Sequence, residues 1–505
     1  MAIQAFSFVI DTASSSQGVQ VMTTSGLLNG FINPAFPNTR QFLGIPFALP
    51  PTGPRRWLPP LGFQSTASLL ANDIGPACPQ QLLRNAQVYS VNGGNMTEFF
   101  PRETFSEDCL TLNVWAPQGP LRAGLPVIVW HFGGGFVQGG TNARFFNPES
   151  WVQRTQEHIV VTVNFRSNIF GFPNAAGLAE QNLGLLDQRF ALEWVRDNIA
   201  RFGGDPSRIV IWGESAGAIA CDFLNFAYPS DPIAIGMILD SGTALFPIKA
   251  SASFDTGHTN FTHVAVSVGC EYATSQLECM RGVPWQTLEG VMGADSTLVF
   301  LPIIDEKILF EDYVERYAMV AVSSVPAIIG TNQHELLALV PQTGLNTPFN
   351  ATEFADFGME YDKNANATFL CASAASTSSL RHSISNDSSS SSNRRLTTYR
   401  YRYDGNFPNV SPKAYPGAYH AAELPLLFGT AGEYHGASTA YEEEVGRKMQ
   451  DLWLAFAKDP QNGLREAGWG SYAEGKAVLL GGADAPMVQV EVREIDGVCA
   501  ALGIS

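Results

Sequence analysis

A serine set between two glycines, Gly213-Glu214-Ser215-Ala216-Gly217, is the stretch of this chain best equipped for covalent chemistry. The run before it, Ser207 to Trp212, is apolar and β-branched like a buried strand, and the small residues after it suit a helix start. A serine on so sharp a strand-to-helix turn holds a strained backbone, and side chains two positions to either side would collide. Gly213 and Gly217 carry none. Ser215 Oγ then stands clear of the sheet edge, with the first amides of the helix aimed where an oxyanion would form. Upstream, His131-Phe-Gly-Gly-Gly-Phe136 closes a continuous apolar run, Leu125 to Trp130. Glycines at a strand's end let backbone N–H groups turn into a cleft. Alone they read equally as a flexible turn; paired with the serine downstream they read as an oxyanion hole.

An activated serine needs a histidine to take its proton and a carboxylate to orient that histidine. For a serine on a strand–turn–helix elbow the chain order is serine, acid, histidine. Of eight histidines, only His382, His420 and His435 follow a plausible acid. His382 sits in a serine-rich tract, unfit for a preorganised role. His420 lies on the loop beyond a predicted strand, where the base belongs, and His435, in a Gly-flanked loop further on, is the reserve. Glu335 follows the short apolar run Val325 to Gly330 and is the candidate acid; its plainer reading is a first-turn carboxylate on the helix Glu335-Leu-Leu-Ala-Leu.

The elements that must position these groups alternate. Val19 to Gly30 reads as an early hairpin, and Arg40 to Trp57 is proline-rich enough to be an ordered crossing loop. Strands follow at Leu110–Trp115, Leu125–Trp130 and Ile159–Asn164. A crossover helix over Asn182–Ile199 then delivers the chain to the elbow strand, with further strands at Ile235–Gly242 and Val325–Gly330. Strand and helix in alternation predict a doubly wound, mostly parallel α/β sheet. Thr398 to Asp404 alternates sharply, as a late, edge-like strand, and Tyr441 to Ala457 is an amphipathic helix. Residues from about 372 to 395 are dominated by serine and predict a disordered surface insertion.

The chain has 505 residues, 45% hydrophobic and 15% charged, which predicts one large folded domain over 1–505 and not a disordered chain. A net charge of −17 offers no basic footprint, so no nucleic-acid partner is expected. No apolar run approaches the ~18–20 residues of a membrane span, and Met1 to Asp11 makes a poor signal peptide. Seven cysteines leave at least one unpaired. Asn-x-Ser/Thr sequons at Asn95, Asn260, Asn350, Asn366, Asn386 and Asn409 favour a secreted glycoprotein weakly.

Four motifs carry a family resemblance: Gly213-Glu-Ser-Ala-Gly217, Glu107-Asp-Cys-Leu-Thr-Leu-Asn-Val-Trp115, Asn182-Leu-Gly-Leu-Leu-Asp-Gln188 and Phe202-Gly-Gly-Asp-Pro206. Together they resemble the type-B carboxylesterase/lipase family, the cholinesterase-like α/β hydrolases, from about residue 18 to 500. The tyrosine-rich late strand is similar in style to fungal members. The resemblance implies an α/β-hydrolase fold and a serine hydrolase that cleaves small-molecule or lipid esters through an acyl-enzyme, without metal or organic cofactor. It implies Ser215 as nucleophile, Glu335 as acid and His420 as base, with oxyanion donors at Gly134, Gly135 and Ala216. It implies disulfides Cys78–Cys109 and Cys270–Cys279, leaves Cys221, Cys371 and Cys499 without assigned partners, and fits a secretory location. The family's acyl pocket maps onto Ser296, Leu298 and Phe300. The cholinesterases' choline-binding tryptophan has no counterpart between Cys78 and Cys109, where Tyr89, Phe99 and Phe100 stand instead. Two other readings remain open at this point: a lipase with residues 79–108 as lid, and a non-catalytic adhesion protein on the same fold.

Overall fold

The computed structural model describes residues 19–80, 95–119, 124–247, 255, 257–319, 321–323, 325–339, 364–377, 397–411 and 417–502. The predicted early hairpin forms as β1 (Gln20–Thr23) and β2 (Gly26–Asn29), which make a small sheet with β5 (Leu69–Leu70). The large sheet has eleven strands: β3 (Phe31–Ile32), β4 (Thr39–Pro46), β6 (Thr111–Pro117), β7 (Leu125–His131), β8 (Ile159–Val163), β9 (Gly204–Glu214), β10 (Gly236–Asp240), β11 (Ala327–Asn332), β12 (Thr398–Tyr403), β13 (Lys476–Leu480) and β14 (Met487–Glu491). Their order in space is β14-β13-β12-β11-β10-β9-β7-β8-β6-β4-β3. From β13 across to β8 all neighbours run parallel; the strands beyond at each end pair antiparallel.

Successive side chains on each strand point to opposite faces of the sheet. On β7, Val127 and Val129 pack to one face while Ile128 and Trp130 pack to the other. On β9, Ile209 and Ile211 join the first face, Val210 and Trp212 the second. Both faces are apolar because both are covered, as a parallel sheet requires. Helices α3 (Leu183–Asn198) and α4 (Ala216–Ala227), the third and fourth after α1 (Glu149–Thr155) and α2 (Asn168–Gly171), supply Leu192, Val195, Ala218 and Leu224 to the first face. The long helix over Ala440–Lys458 supplies Leu452, Trp453 and Phe456 to the second. Trp130 and Trp212 are register partners on β7 and β9 with ring centroids 4.3 Å apart, a cross-strand pair directly below the elbow.

The chain runs from β7 to β8 on one side, then returns to lay β9 against the other side of β7. That reversal makes a topological switch point at the carboxyl ends of β7 and β9, the place where doubly wound sheets hold ligands. His131 ends one of these strands and Glu214 the other.

Three expectations need correction. Arg40 to Pro46 is strand and not crossing loop: its prolines begin at Pro46, where β4 stops. Strand β12 is interior, bonded to β11 and β13 on its two sides. Its sharp alternation read as edge-like, but Arg400 is fully buried and pairs with Asp496 at 3.1 Å. The serine-rich tract also begins in structure: Cys371–Ala375 is helical, and Ser373, Ser376 and Thr377 are buried. Residues 378–396 lie outside the described residues, as does His382.

Candidate active site

Ser215 sits where β9 turns into α4, with φ 54° and ψ −125°, a left-handed backbone that non-glycine residues adopt only when the surroundings impose it. The close approach behind the motif is visible. A Cβ on Gly213 would fall 2.4 Å from the Gly217 carbonyl carbon, and one on Gly217 would fall 2.1 Å from the His131 carbonyl oxygen. The Ser215 N–H donates to the Asp240 carbonyl at 2.8 Å, which ties the elbow to the end of β10. Ser215 itself remains partly exposed while its neighbours are buried.

His420 and Glu335 converge on this point from β12 and β11. His420 Nδ1 lies 2.6 Å from Glu335 Oε2. The other carboxylate oxygen, Glu335 Oε1, accepts from Ser241 Oγ at 2.6 Å and from the Asn332 N–H at 2.7 Å. Glu335 also opens a 3₁₀ turn, so the plainer reading of it as a first-turn carboxylate holds as well. His420 Nε2 lies 3.0 Å from Oε1 of Glu214, the residue just before Ser215, so the second ring nitrogen faces the elbow. Burial by itself would keep the imidazole neutral. The Glu214 and Glu335 carboxylates outweigh it and push its pKa up to about 9. Glu214, wholly buried, is pushed up to about 7 by desolvation despite the attraction of His420.

The candidate oxyanion loop follows β7. Gly134 and Gly135 have φ of 109° and 65°, and a Cβ on Gly133 would stand 2.9 Å from Ser215 Cβ, so this loop lies against the nucleophile. The N–H groups of Gly134, Gly135 and Ala216 have no acceptor among the described residues. On the opposite side the Phe369 ring lies 4.9 Å from His420, and Phe246 packs on Phe369 at 4.8 Å.

The structure thus brings together Ser215, Glu335, His420, Gly134, Gly135 and Ala216. The mapped pocket residues Ser296, Leu298 and Phe300 differ in setting. Ser296 is exposed, and Phe300, 2% exposed, spends its ring on the cluster of Trp57, Phe261 and Leu288. The reserve base is occupied elsewhere, with His435 Nε2 lying 2.8 Å from Glu98. Sequence reasoning missed Glu214, Ser241, Asn332 and Phe369. Ser241 carried a signal, an Asp-Ser-Gly just past a buried strand; Phe369 carried none.

Three disulfides are present, Cys78–Cys109, Cys270–Cys279 and Cys371–Cys499. The third corrects the unassigned pair. Cys221 is the free thiol, buried on α4 where nothing reaches it.

A strained serine, a buried histidine bonded to a glutamate and a glycine loop of unpaired amides, at the switch point of a parallel sheet, define a serine hydrolase of the α/β-hydrolase class. A model described as the carboxylesterase family matches residues 17–384. The chain is 40% identical over 460 residues to a chlorogenic acid esterase of Aspergillus niger, covering 89% of this chain and 84% of the relative. It is 40% identical over 496 residues to secreted lipase 5 of Gibberella zeae, covering 91% and 88%. It is 29% identical to an acetylcholinesterase of Electrophorus electricus over 89% of this chain and 81% of the relative. The chain belongs to the carboxylesterase family.

Proposed function

We propose that Ser215 attacks the carbonyl carbon of a carboxylic ester while His420 Nε2 takes its proton and Glu335 holds the resulting imidazolium. The N–H groups of Gly134, Gly135 and Ala216 receive the oxyanion. The alcohol leaves with the proton from His420. Water then repeats the sequence on the acyl-enzyme, releasing the acid and Ser215. The observation that carries this reading is the 2.6 Å contact between His420 Nδ1 and Glu335 Oε2, with the other ring nitrogen over the elbow. Labelling with an organophosphate, mapped to the peptide containing Ser215, tests it. A protein that takes no label would be the non-catalytic scaffold.

Phe246 and Phe369 form an apolar wall beside His420, suited to the acyl or alkyl part of a neutral ester. A lipase with residues 79–108 as its interfacial lid is the second reading, and the names of several relatives, the secreted lipase 5 of Gibberella zeae among them, favour it. Against it, among the described residues of that segment no large apolar side chain is exposed: Met96 and Phe100 turn inward, while Arg102, Glu103 and Asp108 face water. Rates on tributyrin measured through its solubility limit separate the two, since a lipase accelerates as droplets form. Three disulfides and three relatives named as secreted support export. No helix among the described residues is long and apolar enough to cross a membrane.

A further inference from the structure

An N-linked sugar replaces a hydrogen on a side-chain amide nitrogen, so the amide must face water and have no structural bond to keep. Four of the six sequon asparagines fall among the described residues, and the fold separates them. Asn409 is 5% exposed, and its Nδ2 donates to the Ala431 carbonyl at 2.8 Å and to Ser438 Oγ at 3.3 Å. A glycan there would break both bonds and force a polar chain through the core. Asn260 is half-buried in the helix Thr259–Ser267, with its Nδ2 donating to the Val299 carbonyl at 2.9 Å. Asn366 is half-buried at the start of a helical stretch whose Phe369 and Leu370 are buried.

Asn95 differs from all three. It is exposed, its φ of 56° places it in the left-handed turn before the 3₁₀ turn Thr97–Phe99, and its amide has no hydrogen-bond partner among the described residues. Asparagine tolerates that conformation better than most residues. Thr97, whose hydroxyl completes the sequon, is partly exposed, and between the two Met96 is fully buried and anchors the turn. The segment's inner side is committed: Phe99 packs on Phe145 at 4.8 Å and on Tyr419, the residue before His420, at 6.2 Å.

We propose that Asn95 is an N-glycosylation site, with the oligosaccharide standing on the outer face of the Cys78–Cys109 segment beside the candidate active site, and that Asn260 and Asn409 stay bare. The inference rests on the secretory reading above. In the transfer, the Asn95 amide nitrogen displaces a polyprenyl diphosphate from the anomeric carbon of a lipid-linked oligosaccharide. The nitrogen–carbon bond forms, the anomeric carbon–oxygen bond to the diphosphate breaks, and the amide gives up one proton. A hydrated oligosaccharide at Asn95 keeps the surface around it off lipid, in keeping with esterase action on dissolved substrate.

The full chain, secreted from a glycosylating host, is digested and treated with peptide N-glycosidase in heavy-oxygen water, which leaves a labelled aspartate wherever a glycan sat. Label at Asn95 with Asn260 and Asn409 unlabelled is the expected result, and Asn95→Gln should migrate lighter by one glycan. An unlabelled Asn95, or label at Asn260 or Asn409, overturns the assignment. A non-reducing peptide map of the same sample separates the two readings: with three intact disulfides and a bare Asn95, the site assignment fails while the secretory reading stands. Reduced cysteines and bare sequons throughout remove both.

Discussion

In the proposed mechanism Ser215 and His420 act as a unit, so loss of either should cost nearly the whole rate. Ser215→Ala and His420→Ala should each lower kcat about a million-fold, and Glu335→Gln less, because the histidine keeps its proton path but loses its orienting charge. His435→Ala should keep most of the activity, since His435 is held by Glu98. Steady-state kinetics on a p-nitrophenyl ester decide this, and an inactive His435→Ala beside an active His420→Ala would reverse the choice of base. The same residues set the pH dependence. His420 must be neutral to take a proton, and its pKa is pushed up to about 9 against burial by the Glu214 and Glu335 charges. Activity should therefore rise with pH on an acid limb lying above the ordinary histidine value. Glu214→Gln removes the negative charge nearest Nε2, so that limb should move to lower pH. A kcat/KM profile from about pH 5 to pH 10 reads the shift, and a limb that stays in place or moves upward would show that Glu214 does not set it.

At the scale of elements, the Cys371–Cys499 bridge closes a long loop and fastens the helix bearing Phe369 to the C-terminal helix over Val492–Ala501. Its cysteines are 128 residues apart, so chain-entropy reasoning gives on the order of 5 kcal/mol, and measured values for such bridges commonly fall nearer 2–4. The double variant Cys371→Ser, Cys499→Ser should lose stability in that range by urea titration. It should also raise KM, because the Phe369 ring beside His420 would lose its tether. Unchanged KM in a destabilised variant would mean that the aromatic wall holds its place by packing alone. Sequence composition made this region read as disordered serine. Ser373 and Thr377 are instead buried, Thr377 spending its hydroxyl on the Ser373 carbonyl at 2.6 Å, a local bond that composition does not reveal.

At the scale of the whole molecule, a net charge of −17 draws cations toward the surface at low salt, while the site offers no tryptophan in the Cys78–Cys109 segment to hold a quaternary ammonium. At about 0.15 M salt the long-range field is screened beyond roughly 8 Å, and only the pocket discriminates. Acetylthiocholine should then show no advantage in kcat/KM over a neutral thioacetate, and a neutral thiobutyrate should exceed both, because an added methylene in open apolar space is worth about 1–3 kcal/mol. A choline preference that persists at that salt would require a cation site that Phe99 and Phe369 provide without tryptophan.

The sequence by itself pointed to the elbow, the candidate oxyanion loop, the candidate triad residues and the parallel centre of the sheet. Each is written locally: glycines at fixed offsets from Ser215, a carboxylate just past a buried apolar run, strands and helices in alternation. The tertiary structure decided what depends on distant partners. Arg400 on β12 looks solvent-facing until Asp496, 96 residues on, neutralises it in the core. Cys371 finds Cys499, Ser241 finds Glu335 and Phe369 finds His420 because sheet closure brings separate loops to one end, and no local pattern records that meeting. The mapped pocket residue Phe300 went the other way, drawn into the cluster of Trp57 and Leu288 because burying an aromatic ring there removes more apolar surface from water than lining an open cleft would.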